Sequence, residues 1–254
     1  MTKKSITGAL VRIGAASIVM LAGSASAADI KVISTGAFQE ALVELGPAFE
    51  QATGHKVARI SAGTDDIIRR FGAGETIDIV VAPAPVMDDF VKRGLVLADG
   101  RADVAKSGIG VATRLGAPKW DVGSGQALMQ TLLGAPSLIL SAGVSGVYLN
   151  ALFAKWGIAG QIKPKITTLP GAQPVIGALV RGEGEIGFLQ VSELLPVKGI
   201  VFLGPLPAEI QEMTAITAGL GKTVGQPDAA TALMKFLTSP AAAPAKKQSG
   251  LEPG

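Results

Sequence analysis

The stretch Leu138–Trp156, LILSAGVSGVYLNALFAKW, constrains this chain more than any other. Ser137–Leu140 is a short apolar run of strand length. Small residues follow: Ser141, Ala142, Gly143, then Ser145 and Gly146. Val147, Tyr148, Ala151, Leu152 and Trp156 then recur at helical spacing. A strand entering a helix through such a loop leaves the first-turn N–H groups without partners. No bulky side chain guards them, and Gly146 is the smallest residue there is, so a ligand can come close with the fold intact. Those donors and the positive end of the helix dipole favour an anion. Alone, the stretch reads as an ordinary β–α turn. Its recurrence gives it weight.

The same rhythm starts at Asp29–Thr35, a strand broken at Gly36. A helix follows with Phe38, Ala41, Leu42, Leu45 and Phe49 on one stripe, ended by Gly54. Lys56–Ser61 is the next strand. Ala62–Asp66 is the next small loop, with Thr64 or Asp65 as cap of a helix over Ile67–Phe71. Ile77–Ala82 is nearly all apolar, as a strand covered on both faces is. Pro83–Pro85 turns the chain into a helix over Met87–Arg93. Further strands fall at Gly108–Thr113, Lys165–Leu169, Gly184–Leu189, Ile200–Leu203 and Met213–Leu220. Further helices fall at Asp121–Leu133, from the loop Pro170–Pro174 to Arg181, at Ser192–Leu195 and at Asp228–Leu237. The last turns Ala229, Ala232, Leu233 and Phe236 inward. The tail after Ser239 is small, basic and Pro-rich, and reads as loosely held.

Alternation of this kind argues an α/β chain with a mostly parallel sheet and helices on both faces. Ligands of such sheets bind beyond the carboxyl ends of the strands. Ser34–Ala37, Ala62–Asp65, Ala142–Gly146 and Gly171–Gln173 occupy those ends and carry small or amide residues.

Met1–Ala27 reads as an export leader cleaved after Ala27: Lys3, Lys4 and Arg12, then the apolar run Ile13–Leu21, then Ala25-Ser26-Ala27. The whole chain carries 23 Lys and Arg against 20 Asp and Glu. The leader holds three of those bases and no acid, so residues 28–254 balance at zero net charge. Nothing in that balance points to nucleic acid. With no cysteine, disulfides and thiol chemistry are excluded. One histidine and no cysteine leave no metal-ligand spacing and no Ser–His–Asp set. His55 itself reads as a surface residue at a helix–strand junction. The Gly-rich loops do not match a dinucleotide fingerprint, so no cofactor is expected. For proton transfer the candidates are Asp65 and Tyr148. Asp65 and Asp66 read equally as acids complementing a helix start, and Glu183 and Glu185 as solvated.

Together, VISTGAFQEALVELGPAFEQATG, ISAGTDDIIRRFGAGETIDIVVAP, SGVYLNALFAKWG, GALVRGEGEIGFLQVSEL and AATALMKFLTSPAAA resemble the periplasmic solute-binding proteins of the molybdate-binding type. The resemblance implies a type II periplasmic binding protein: two Rossmann-like lobes joined by a two-strand hinge. Residues 28–110 and 217–254 would form lobe 1 and residues 111–216 lobe 2, with crossings near Gly110 and near Thr214–Ala218. The implied ligand positions are Ser34, Thr35, Gly36, Thr64, Ser145, Gly146, Val147, Gln173 and Gln190. Two depart from the family pattern, Ala37 standing for a serine and Gln190 for a tyrosine. Those departures favour an organic carboxylate over molybdate or tungstate, with Arg181 as a charge partner. The implied role is that of a monomeric receptor for a small anion, serving an ABC transporter permease. The aconitate isomerase branch is similar in Ser145–Leu149, Arg181–Glu183 and Gly187–Leu194, which gives the alternative of cis/trans-aconitate interconversion.

Overall fold

Our computed structural model describes residues 27–254, so the leader ahead of Ala27 lies outside the described residues. β1 (Asp29–Ser34) is the centre of the first lobe, pairing in parallel with β2 (Lys56–Ser61) and β3 (Ile79–Pro83). The crossovers are α1 (Gly36–Thr53) and α2 (Thr64–Gly72), and α3 (Ala84–Lys92) follows β3. Side chains of β1 alternate between faces. Ile30 and Val32 join Phe38, Leu42 and Phe49 of α1, while Ile33 joins Ile67 of α2 and Phe90 of α3. The expected stripe of α1 is its buried face. Gly54 ends that helix at φ 78°, donating to Glu50 O at 2.8 Å, a left-handed cap that suits glycine.

β4 (Val96–Arg114) is far longer than the expected Gly108–Thr113. Its first part pairs antiparallel with β9 (Met213–Gly221), which also pairs antiparallel with β3. Residues 96–107 show no clean apolar alternation because this half is the edge of the first sheet. Backbone pairing with β9, interrupted by two register shifts, holds it.

From Ile109 onward β4 enters the second sheet, pairing antiparallel with β7 (Ile186–Gln190) and β8 (Ile200–Pro205). There β5 (Leu138–Ser141) runs parallel to both β6 (Ile166–Leu169) and β7. α4 (Gly125–Gly134), α5 (Val144–Lys155), α6 (Ala159–Ile162), α7 (Ala172–Val180) and α8 (Val191–Leu194) complete this lobe. Cores again lie on both faces, one around Leu140, Leu149, Phe153 and Phe188, the other around Ile139, Val175 and Leu189. Parallel pairing is thus confined to the strands within each lobe, and the crossing strands are antiparallel.

The chain changes sheet at Gly108–Ile109 and again between Pro205 and Met213. The second change comes before Thr214, because all of β9 belongs to the first sheet's ladder.

The tail corrects an expectation. α9 (Pro227–Thr238) is followed by α10 (Ala243–Gln248), and Ala242, Ala245 and Leu251 are buried in the first core. Glu252 exchanges backbone bonds with Lys106, both at 2.9 Å. Small side chains here mean close packing, not looseness. In α9 the inward face is Ala229, Ala230, Leu233, Met234 and Leu237, with Ala232 and Phe236 only partly covered.

Candidate functional site

Residues that follow the parallel strands of both lobes line one cleft of about 340 Å³. That is the size of a small-molecule site. α1, α2, α5 and α7 all point their first turns into it, through Gly36 and Ala37, Thr64 and Asp65, Val144 and Ser145, and Ala172 and Gln173. The first-turn N–H groups of Gly36, Ala37, Thr64, Asp65, Val144 and Ser145 meet no backbone acceptor. Positive dipole ends of several helices therefore converge on one cavity.

Hydroxyls add to the donors. Thr35 is the residue before α1, only 6% exposed, and its Oγ1 has no partner among the described residues. A buried hydroxyl left unpaired costs free energy, so one at a cavity wall is poised for a ligand. Across the cleft Ser145 Oγ lies 3.1 Å from Ser141 Oγ. At the cleft wall a Cβ on Gly171 would sit 3.6 Å from Gly63 Cα, so the lobes meet there through two glycines. Gly171 also has φ 77°, a conformation that disfavours any side chain.

Charge in the cleft is all of one sign. Asp65, Asp66 and Glu193 line it, and no Lys or Arg does among the described residues. Asp66 is paired with Arg69 and, at 3.7 Å, with Arg70. Glu193 is different: burial pushes its carboxyl up to about 7, against the opposing bond from the Gln190 N–H. Sequence reading missed Glu193. The spacing of Gln190 and Glu193 is that of a helix-start capping box, and the pair is used so, Oε2 accepting from Gln190 N at 3.0 Å. The second carboxylate oxygen, which faces α1, has no sequence signature.

Of the expected ligand positions, Thr35, Gly36, Thr64, Ser145, Gln173 and Gln190 come together in the cleft, along with the proton-transfer candidate Asp65. Ser34 does not: it is fully buried and its hydroxyl donates to Thr35 O at 2.9 Å. Val147 does not, since its N–H donates to Gly143 O at 3.1 Å and its side chain faces outward, 67% exposed. Gly146 packs on the preceding strand, where a Cβ would fall 1.8 Å from Ser141 O. Its smallness therefore serves the fold and not ligand approach. Neither Thr64 nor Asp65 caps α2; the cap position is Gly63, with no side-chain bond.

Tyr148 turns away from the cleft into the second core and donates to Ile210 O at 2.6 Å. Burial and the nearby Glu212 raise its pKa. His55 stacks on Phe49 and accepts from Ala28 N at 3.3 Å, at the opposite end of β1. Arg181 is paired with Glu183 on the surface. Glu185, read as solvated, is 6% exposed and bound to Arg114 at 2.8 Å.

Gln190 lies at the cleft floor, yet its amide is committed to the hinge. In the orientation that satisfies both ends, its nitrogen donates to Ser107 O at 2.9 Å and its oxygen accepts from Thr214 Oγ1 at 3.2 Å. Gln211 makes a second clasp, accepting from Ile109 N at 2.8 Å and donating to Ile109 O at 3.0 Å. Both tie together the segments where the chain changes lobes. No group of three or more His, Cys, Asp or Glu among the described residues is arranged to hold a metal ion. None of the described helices is long and apolar enough to cross a membrane.

Known proteins share this fold. The profile described as bacterial extracellular solute-binding protein matches residues 30–252. An aconitate isomerase from Pseudomonas sp. is 36% identical over 230 residues, covering 88% of this chain and 87% of that one. The periplasmic molybdate-binding protein of Azotobacter vinelandii superposes with a TM-score of 0.74 at 18% identity, covering 87% of this chain and 98% of that one. The sulfate-binding protein of Mycobacterium tuberculosis gives 0.72 at 19% identity, covering 89% and 87%. The fold is that of the type II periplasmic binding proteins.

Proposed function

The chain belongs to the bacterial extracellular solute-binding protein family, and from that premise we propose that it captures a small organic polycarboxylate between its lobes. The observation that carries this reading is a cleft whose free donors come from both lobes and whose walls hold no cation among the described residues. Backbone N–H groups and the Thr35 hydroxyl bind an anion without a counter-charge, the work of helix N-termini. A compact oxyanion needs its donors gathered at one point. A longer acid with several carboxylates uses donors spread along a cleft, as Thr35, Thr64, Ser145 and Gln173 are spread over four helix starts. Exported through its leader, the protein would close on the acid by hinge motion and deliver it, as a monomer, to an ABC transporter permease.

A second reading has its own support in the aconitate isomerase relative at 36% identity. Shifting a double bond needs a group that takes a proton from one carbon and returns one to another. Asp65 lines the cleft and is a candidate; Tyr148, bound to Ile210 outside it, is not.

Thermal-shift measurements on residues 28–254 separate the ligand classes. trans-Aconitate, cis-aconitate and citrate are expected to raise the melting temperature, because a ligand at 100 times its Kd adds about 2.7 kcal/mol to stability. Stabilisation by molybdate or sulfate alone contradicts the polycarboxylate reading. Proton NMR of trans-aconitate with the protein then separates receptor from enzyme: appearance of the cis isomer establishes turnover, and an unchanged spectrum leaves a receptor.

A further inference from the structure

Glu193 stands where the lobes meet. One carboxylate oxygen is bonded to the start of α8 through Gln190 N at 3.0 Å. The other lies against the first turn of α1 in the opposite lobe, so close that a Cβ on Gly36 would sit 2.6 Å from it. Glu193 therefore lines the same cleft as the unpaired Thr35 hydroxyl.

From this geometry we propose that anion capture is proton-coupled: each polycarboxylate enters with one proton, and Glu193 holds it. The proposal rests on the polycarboxylate reading above. An ionised Glu193 would face the incoming charge in a cleft that, among the described residues, has two further acids and no cation. A neutral Glu193 keeps its bond from Gln190 N on one oxygen and presents an O–H donor on the other. Capture thereby exchanges a repulsion for a hydrogen bond. The free carboxyl is already poised, since burial has pushed it up to about 7, and a bound anion raises it further.

Among the described residues, the cleft-lining groups on the elements packed against Glu193 carry no titratable side chain. α1 presents Gly36 and Ala37, α7 Ala172 and Gln173, and β9 Thr214 and Ile216. β4 reaches α8 through Ser107, 3.2 Å from Ser192 Oγ, and the tail through Gly250 against Val191 and Leu195. Across the cleft stand Asp65 and Asp66, the latter paired with Arg69 and Arg70.

The test is calorimetric titration with trans-aconitate at pH 6 and pH 8, each in two buffers of different ionisation enthalpy. Repulsion among its carboxylates raises the last carboxyl of the probe above the ordinary value of about 4, so the pH effect is read as the difference between wild type and Glu193→Gln, and proton uptake is read at pH 8, where the probe is fully ionised. The wild type is expected to bind about tenfold more weakly at pH 8 than at pH 6, taking up close to one proton per anion at pH 8. Glu193→Gln keeps a capping-box side chain and a donor, so it is expected to fold, to lose the tenfold weakening between pH 6 and pH 8 and to take up no proton at pH 8. Equal wild-type affinity at both pH values without proton uptake overturns the coupling and leaves the polycarboxylate reading standing. A Glu193→Gln protein that retains the wild-type pH dependence overturns Glu193 as the holder. Absence of trans-aconitate binding at either pH overturns the ligand reading and the coupling with it.

Discussion

The entries to α1 and α5 are built from the same parts: a buried strand, a short run of small residues and the start of a long helix. They are finished differently. At α5, Ser141 and Ser145 pair their hydroxyls at 3.1 Å, and Gly146 lies so tightly on Ser141 that no Cβ fits. The hydroxyls of that entry are satisfied without a ligand, and only its first-turn N–H groups stay free. At α1 the Thr35 hydroxyl is buried and unpaired, and the helix start faces Glu193 of the other lobe. That entry is incomplete until something occupies the cleft. On the proposed reading, one lobe supplies donors whose hydroxyls are already paired, and the other supplies the groups that gain most from a bound anion.

Substitutions on the two sides should therefore fail in different ways. The largest effect falls on the rigid side. Gly146→Leu forces a side chain into Ser141 O, where even a Cβ would be 1.8 Å away. We expect a loss of about 3 kcal/mol or more in stability, read as a large fall in melting temperature or as insoluble protein. A well-folded Gly146→Leu protein that merely fails to bind would make Gly146 itself a point of ligand approach after all.

Thr35→Val removes only the unpaired hydroxyl. Stability is expected to hold or rise, because a buried group without a partner is lost. Affinity for the polycarboxylate should fall about 10- to 100-fold, the worth of a hydrogen bond to a charged group. Ser145→Ala should cost less affinity than Thr35→Val, since the Ser145 hydroxyl is already shared with Ser141. The reverse order, by calorimetry, would invert the comparison.

Tyr148→Phe is expected to give the smallest change. It deletes one bond to Ile210 O on the far side of α5, costing about 1 kcal/mol of stability with ligand binding and any turnover unaltered. A drop in binding or turnover would return Tyr148 to the site.

Most of the fold was legible because its signals are local. The stripe of α1 and the apolar β3 declare themselves by spacing and length. Residues 96–107 and the C-terminal tail were not, since both are held by partners far along the chain: β9 in one case, α1, α9 and Lys106 in the other. The site was legible where it rests on helix starts, as at Thr35, Thr64, Ser145 and Gln173. It was illegible where a residue's use depends on what it faces. Gln190 and Tyr148 look like ligand groups in sequence, yet hydrogen bonds to Thr214, Ser107 and Ile210 claim them. Glu193 looks like a cap, and only the closeness of α1 gives its second oxygen a role.

The central claim is that an organic acid lies between these two helix entries. A crystal structure of residues 28–254 grown with trans-aconitate tests it most directly. The account predicts one molecule in the interlobe cleft, with carboxylate oxygens on the N–H groups at the starts of α1 and α5 and on Thr35 Oγ1. Density for the acid only elsewhere, for instance in the cavity beside Lys246 and Lys247 under the C-terminal tail, would contradict it.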